Sequence, residues 1–279
     1  MLPWEAKDKT FLITGGASGL GAQYAERFLN QGAKKVAIVD IADDRGKATA
    51  ERLNKIHTDK VIFVKCDISK EGDITRAFDH VVSEFKQIDV VINNAGIMVD
   101  TPQVWRTACE VNWIGLVSFT LKAIQHMRKD EGGAGGTIAN VSSAVALTKF
   151  FYMPIYGGSK IAVLHFSQCI AADPFYERTG IRLLTMCFGP TDTPLLHDLG
   201  KRTYEPKLGK IFDDVFEEHA SHIQKVESGV AAFIDMVKNG APGTIWLSID
   251  DKPVKDITSM IDDAFKGFDR IVYGDHKPI

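Results

Sequence analysis

The chain has 279 residues, 45% of them hydrophobic and 25% charged, with a net charge of −3. That is enough to bury a sizeable core, in a composition ordinary for globular proteins. The balance supplies no electrostatic reason for a nucleic-acid or acidic-membrane partner, and no apolar run approaches the roughly 20 residues of a membrane span.

Cys66, Cys109, Cys169 and Cys187 are dispersed, with no CxxC and no metal spacing. They fit a reducing compartment, and the charged N-terminus does not read as a signal peptide, so the default location is cytoplasmic.

The first candidate strand, KTFLIT, runs into TGGASGLG and a helix predicted over 19–31. Gly15, Gly19 and Gly21 let backbone turn tightly and approach a pyrophosphate, whose charge a helix N-terminus favours; Ser18 and Leu20 lie in the same turn. The second strand, KKVAIVD, ends in Asp40 about 20 residues beyond the glycines, where a carboxylate can take both ribose hydroxyls. Asp40 would repel a 2′-phosphate, and neither Ala17 nor Ser18 supplies a cation to attract one, so the pattern selects NAD over NADP. Ile41 follows it at the adenosine end. The other reading of Asp40 is a helix cap before ADDRGK, which opens the helix predicted over 43–56.

The third strand, KVIFVKCD, ends with Asp67 and Ile68 placed to meet an adenine, and a helix is predicted over 71–86. The fourth, IDVVINN, ends in Asn94-Ala95-Gly96, which allows close approach of backbone to a cofactor. A helix predicted over 103–128 carries Asn112, which on its residue type alone reads as a polar kink. After the turn DEGGAGG come the fifth strand, GTIANVS, and a helix predicted over 155–178 that contains Tyr156 and Lys160. Four residues apart, these two share one helix face. A nearby ammonium and a positive nicotinamide would lower the pKa of a phenol that is otherwise near 10. Gly157 and Gly158 interrupt that helix, and their compensation is expected to be close packing. The sixth strand, GIRLLTMC, leads into a long connection over about 192–222, and a helix from about 225 precedes the seventh strand, GTIWLS. Continuous apolar strands alternating with helices predict a doubly wound α/β sheet in a single domain over 1–279.

TGxxxGxG, NNAG, a distal Asn, a Ser, YxxxK and a late Gly–Thr segment together resemble the short-chain dehydrogenase/reductase family over about residues 8–250. Within it the segments TPQVWRTACEVNWIG, GGAGGTIANVSS and MPIYGGSK resemble a narrower group that holds insect-type alcohol dehydrogenases, insect photoreceptor retinol dehydrogenase-like proteins and 15-hydroxyprostaglandin dehydrogenases. The resemblance implies a Rossmann-type fold with seven parallel strands in the order 3-2-1-4-5-6-7 and hydride transfer with a nicotinamide cofactor. It implies that Tyr156 is the base, Lys160 its activator and a ribose ligand, Ser143 the holder of the substrate oxygen, and Asn112 a member of a proton relay. Gly189, Thr191 and Thr193 are matched to the nicotinamide contacts, although Phe188 stands where the family has proline.

The substrate segments of the family fall on Val145, Leu147, Phe151 and Met153, and on Leu195, Leu196, Leu199 and Phe212 in the expected lid. So lined, a pocket favours a lipophilic alcohol; the other reading of each residue is core or oligomer packing. Met153 offers no hydrogen bond where prostaglandin dehydrogenases carry an amide. Three readings stand: a lipophilic-alcohol dehydrogenase, a prostaglandin dehydrogenase, and a nucleotide-binding protein without turnover. The resemblance also implies a homo-oligomer, dimer or tetramer, formed through the helices at 103–128 and 155–178. Residues 254–279 lie outside the family core, and packing on a partner subunit is the expectation for them.

Overall fold

The computed structural model describes residues 4–274. Strands β1 (Thr10–Thr14) and β4 (Val90–Asn93) are buried at every position, as parallel strands covered on both faces must be. With β2 (Lys35–Asp40), β3 (Val61–Lys65), β5 (Gly136–Ser143), β6 (Ile181–Phe188) and β7 (Ile245–Ser248) they form a parallel sheet in the order β3-β2-β1-β4-β5-β6-β7. This is the order the resemblance implies. A two-residue β8 (Lys255–Asp256) adds an antiparallel edge to β7.

Helices α1 (Gly19–Asn30) and α9 (Val226–Asn239) cover one face, where Tyr24 stacks on Phe233 at 4.1 Å. On the other face α3 (Glu71–Phe85) and α5 (Leu116–Met127) bury Phe78, Val81, Phe119 and Ala123 in a second cluster. Helix α2 (Asp43–Ile56) has the bounds the pattern predicts.

Several expectations need correction. The helix expected over 103–128 is α4 (Trp105–Cys109), a π-helical turn (Glu110–Gly115) and then α5. Gly115 lets this turn press on the Ile68 carbonyl, which a Cβ there would overlap. The helix expected over 155–178 is α6 (Pro154–Ala171) and a short α7 (Phe175–Thr179). Pro174 lacks an N–H and biases the residue before it away from helix, which separates them. Gly157 and Gly158 are not closely packed among the described residues: a Cβ on Gly157 would meet only Phe150 at 3.8 Å, and one on Gly158 nothing within 4 Å.

The C-terminal segment begins on its own sheet. Ile257 is buried with Ala146, Leu164, Cys187 and Ile245, and α10 (Thr258–Tyr273) follows with no buried residue. Residues 275–279 of the expected extension lie outside the described residues.

The long connection is a closed excursion. At its base the Gln224 N–H donates to Pro190 O (2.9 Å) and the Asp192 N–H to Gln224 O (3.0 Å). Between these come 3₁₀ turns at Pro194–Leu196 and Leu199–Arg202, helix α8 (Pro206–Glu218) and a last turn at Ala220–His222.

Candidate active site

All seven parallel strands present their carboxyl ends to one edge, where open α/β sheets bind ligands. There the β1–α1 turn, the ends of β2 and β3 and the Asn94–Gly96 turn line a cleft of about 660 Å³. Gly15 has a φ of +66°, and a Cβ on it would come within 2.8 Å of Ala95 Cα. The side chain missing there is therefore required by both conformation and space. Gly21 packs against the Gly15 carbonyl and Asn94 with no room for a Cβ, and the Asn94 amide donates to Thr14 O and Gly15 O. Ser18, Gly19, Leu20, Asp40, Ile41, Asp67, Ile68, Asn94, Ala95, Gly96 and Thr193 all face the cleft.

The Asp40 carboxylate accepts from the N–H groups of Ala17 and Ala42, each at 3.0 Å. It therefore ties the glycine turn to the end of β2. It does not cap α2, whose first residue is Asp43. Asp67 accepts from the Ser69 hydroxyl and N–H, which hold its carboxyl below the usual range.

A second chamber of about 190 Å³ joins the cleft at Leu20, Asn94, Gly96, Met98, Thr193 and Leu195. Ser143, Tyr156 and Lys160 converge on its wall. Ser143 ends β5, accepts from the Val145 N–H and donates to Phe188 O, each at 3.3 Å. Ser142 instead donates to the Lys160 carbonyl at 2.8 Å, tying α6 to the sheet.

Burial pushes the Tyr156 phenol up to about 12, and its hydrogen bond with Ser143 pulls the other way. Burial also pushes Lys160 down to about 8. Its ammonium donates to Val141 O at 3.1 Å and stands 5.8 Å from the Tyr156 ring centre. Desolvation thus outweighs the Ser143 hydrogen bond and leaves the phenol weakly acidic, and the lowering expected from Lys160 does not appear beside them.

Asn112 is fully buried in the π-helical turn. Its amide accepts from the Ile97 N–H and donates to Ile97 O, both at 2.8 Å, and reaches Ser159 at 3.3 Å. A Cβ on Gly96 would sit 3.2 Å from Asn112 Oδ1 and 3.4 Å from Lys160 Nζ, so both groups face that glycine.

The sixth strand continues through Phe188, which can take its place in the ladder where a proline could not. Gly189 packs on Ile249. Thr191 donates to Gly189 O and accepts from the Gln224 amide, and Thr193 donates to Thr191 O.

Of the expected substrate residues, Val145, Leu195, Leu196 and Phe212 line the chamber. The other four do not. Leu147 turns away into the cluster around Ile257 because a 3₁₀ turn (Ala144–Leu147) follows Ser143 and breaks the alternation of the strand. Phe151 is 59% exposed. Met153 and Leu199 are buried behind the wall, packed with Met98, Tyr156 and Phe212. Met98, Phe150, Phe188 and Phe216 also line it and were not anticipated as substrate contacts. Phe216 could have been found, since it lies one helical turn from Phe212 on α8.

The family profile described as short chain dehydrogenase matches residues 9–203. The NAD(+)-dependent 15-hydroxyprostaglandin dehydrogenase of Mus musculus is 34% identical over 206 residues, covering 74% of this chain and 74% of the mouse chain. Alcohol dehydrogenase 1 of Ceratitis capitata is 31% identical over 241 residues, covering 84% and 90%. Among solved structures, levodione reductase superposes with a TM-score of 0.73 at 24% identity, over 86% of this chain and 96% of that one, a likeness of fold.

Proposed function

Because this chain belongs to the short-chain dehydrogenase family, we propose that it is an NAD-dependent enzyme oxidising a lipophilic primary or secondary alcohol to the aldehyde or ketone. The observation that carries this reading is the meeting of Ser143, Tyr156 and Lys160 on the wall of an apolar chamber that opens into the glycine-turn cleft. The cleft fits a dinucleotide: its floor is backbone where a Cβ would clash, and its far end carries two carboxylates, Asp40 and Asp67.

The glycine turn and the start of α1 would hold the pyrophosphate, Asp40 the ribose, Asp67 and Ile68 the adenine, and Gly189, Thr191 and Thr193 the carboxamide. NAD⁺ supplies the hydride acceptor when bound. Ser143 holds the substrate oxygen and Tyr156 removes its proton. With the phenol at about 12, deprotonating it at neutral pH costs about 7 kcal/mol, at roughly 1.4 kcal/mol per tenfold. The Lys160 ammonium and the positive charge that arrives with the cofactor act against that cost. Asn112 holds Ile97 and, beside Gly96, supports Lys160.

Phe150, Phe212, Phe216, Leu195, Leu196 and Val145 exclude water and favour an apolar alcohol. A prostaglandin alcohol is the second reading, favoured by the mouse relative. Met153, buried beside Tyr156 without a hydrogen-bonding group, weighs against it. We place the protein in the cytoplasm as a homo-oligomer; Ile114, Leu121 and Ile161 are exposed apolar residues on the helices proposed to pair.

The test is NADH formation with straight-chain, terpenoid, retinoid and prostanoid alcohols, with Tyr156→Phe as control. The variant should retain NAD⁺ binding and lose about 10²-fold or more in kcat. Tight NAD⁺ binding with no turnover of any alcohol would instead mark a binding protein.

A further inference from the structure

The helix that carries Tyr156 has no cap of its own. Its N-cap residue, Met153, makes no side-chain capping bond, and Pro154 has no N–H, so the first donors left to satisfy are those of Ile155 and Tyr156. One carboxylate takes both. Asp100 Oδ2 accepts from the Ile155 N–H at 2.6 Å and Oδ1 from the Tyr156 N–H at 2.9 Å. Asp100 is 1% exposed and sits where an anion meets the positive end of an 18-residue helix. Burial pushes its carboxyl up, while the two N–H bonds pull it down.

The loop bearing Asp100 is itself held. Asn112 grips both backbone groups of Ile97. The Asp100 N–H donates to Arg202 O at 2.7 Å, and the Arg202 guanidinium donates to Leu195 O at 3.2 Å on the chamber wall. The turn being held is otherwise soft. Tyr156 is followed by two glycines, Gly157 and Gly158, the poorest helix formers after proline, and neither has close neighbours among the described residues.

We propose that Asp100 is a positioning residue for the reaction: its carboxylate pins the first turn of α6 to the loop after β4 and so sets where the Tyr156 phenol stands relative to Ser143. This rests on the dehydrogenase reading given above. A misplacement of about 1 Å in a reacting group can cost about 100-fold in rate, so a frayed first turn would reach the chemistry without touching the cofactor cleft.

The experiment compares Asp100→Ala and Asp100→Asn in the full chain. It measures kcat and KM for the best alcohol, Kd for NAD⁺ by fluorescence quenching, and amide hydrogen exchange at Ile155 and Tyr156 with NAD⁺ present. For the Ala variant we expect kcat to fall about 10- to 100-fold, with KM and Kd held within about twofold. Its two amides should exchange about tenfold faster through local opening. Asn keeps one acceptor oxygen and should recover part of kcat.

A kcat within about twofold of wild type in the Ala variant overturns the proposal. So does a loss matched by an equal loss of NAD⁺ affinity and not eased by Asn. If Asp100→Ala does not fold, the Asn variant decides, with a kcat loss of about two- to tenfold supporting the proposal and none overturning it. If wild type binds NAD⁺ but turns over no alcohol, the functional reading falls, and unchanged amide exchange in the variants would then overturn the tether as well.

Discussion

Lys160→Met should make the cofactor-free protein more resistant to unfolding at neutral pH, and that advantage should fade as pH rises. Lys160 is 4% exposed, and among the described residues its ammonium is bonded only to a neutral carbonyl, Val141 O. Burial lowers its pKa from 10.5 to about 8 in the folded chain. Below about 8 both folded and unfolded chains carry the proton, and the folded state bears the full cost of the buried charge. Between about 8 and 10.5 the unfolded chain binds more protons, so stability rises with pH. The interval corresponds to about 3 kcal/mol, at roughly 1.4 kcal/mol per tenfold.

Methionine removes the charge at every pH and also forfeits the Val141 bond, an offset of about 1 kcal/mol. Urea unfolding of both proteins at several pH values between about 7 and 10 isolates the charge, because other groups cancel in the difference. Wild type should gain about 2–3 kcal/mol on the variant across that range, with turnover absent in the variant throughout. Tyr156 and Cys187, both pushed up to about 12, stay protonated over it. A difference that is flat with pH, or that moves the other way, would refute the lone buried ammonium as the cause.

Asp40→Ala should lower kcat/KM for NAD⁺ and raise the NADP⁺ to NAD⁺ ratio by about tenfold or more, read from initial rates; an unchanged ratio would remove Asp40 from cofactor choice. Phe212 stacks on Tyr152 at 4.7 Å and meets Phe150 at 5.6 Å. Phe212→Ala should therefore raise KM for long alcohols by about tenfold and leave short ones nearly unchanged, a contrast that a general loss of folding would not produce. Gly158 has nothing within 4 Å of an added Cβ. Gly158→Ala should stabilise α6 by about 1 kcal/mol in thermal melts, and a lower melting temperature would show that this surface is covered by another chain.

Much of the fold was legible because it is local. The strands are apolar runs, their ends carry the glycines and acids of the cleft, and the spacing of Tyr156 and Lys160 places them on one helix face. What escaped depends on direction and distance. The turn after Ser143 breaks the alternation that would have sent Leu147 to the chamber, and nothing in FFYMP distinguishes the exposed Phe151 from the lining Phe150. β8 is two residues long and has no periodicity to read. Asp100 bonds to residues 55 and 56 positions away, a pairing no single-sequence pattern records.

The electrostatics were the least legible part, for a physical reason. Asp100 and Lys160 are both buried on the helix of Tyr156 or against it, and the polar partners that hold them are backbone groups: two N–H donors for the acid, one carbonyl for the base. Backbone dipoles are present at every residue, so a sequence cannot mark which of them face a charge. They also satisfy hydrogen bonding without neutralising charge, unlike a salt bridge. That leaves the Lys160 ammonium and the Tyr156 phenol in environments where a single added charge moves both far more than it would in water. Under the proposed function, the positive charge of a bound cofactor would favour the phenolate in that environment. The stability cost at Lys160 is then the counterpart of that responsiveness, the trade that functional sites commonly carry.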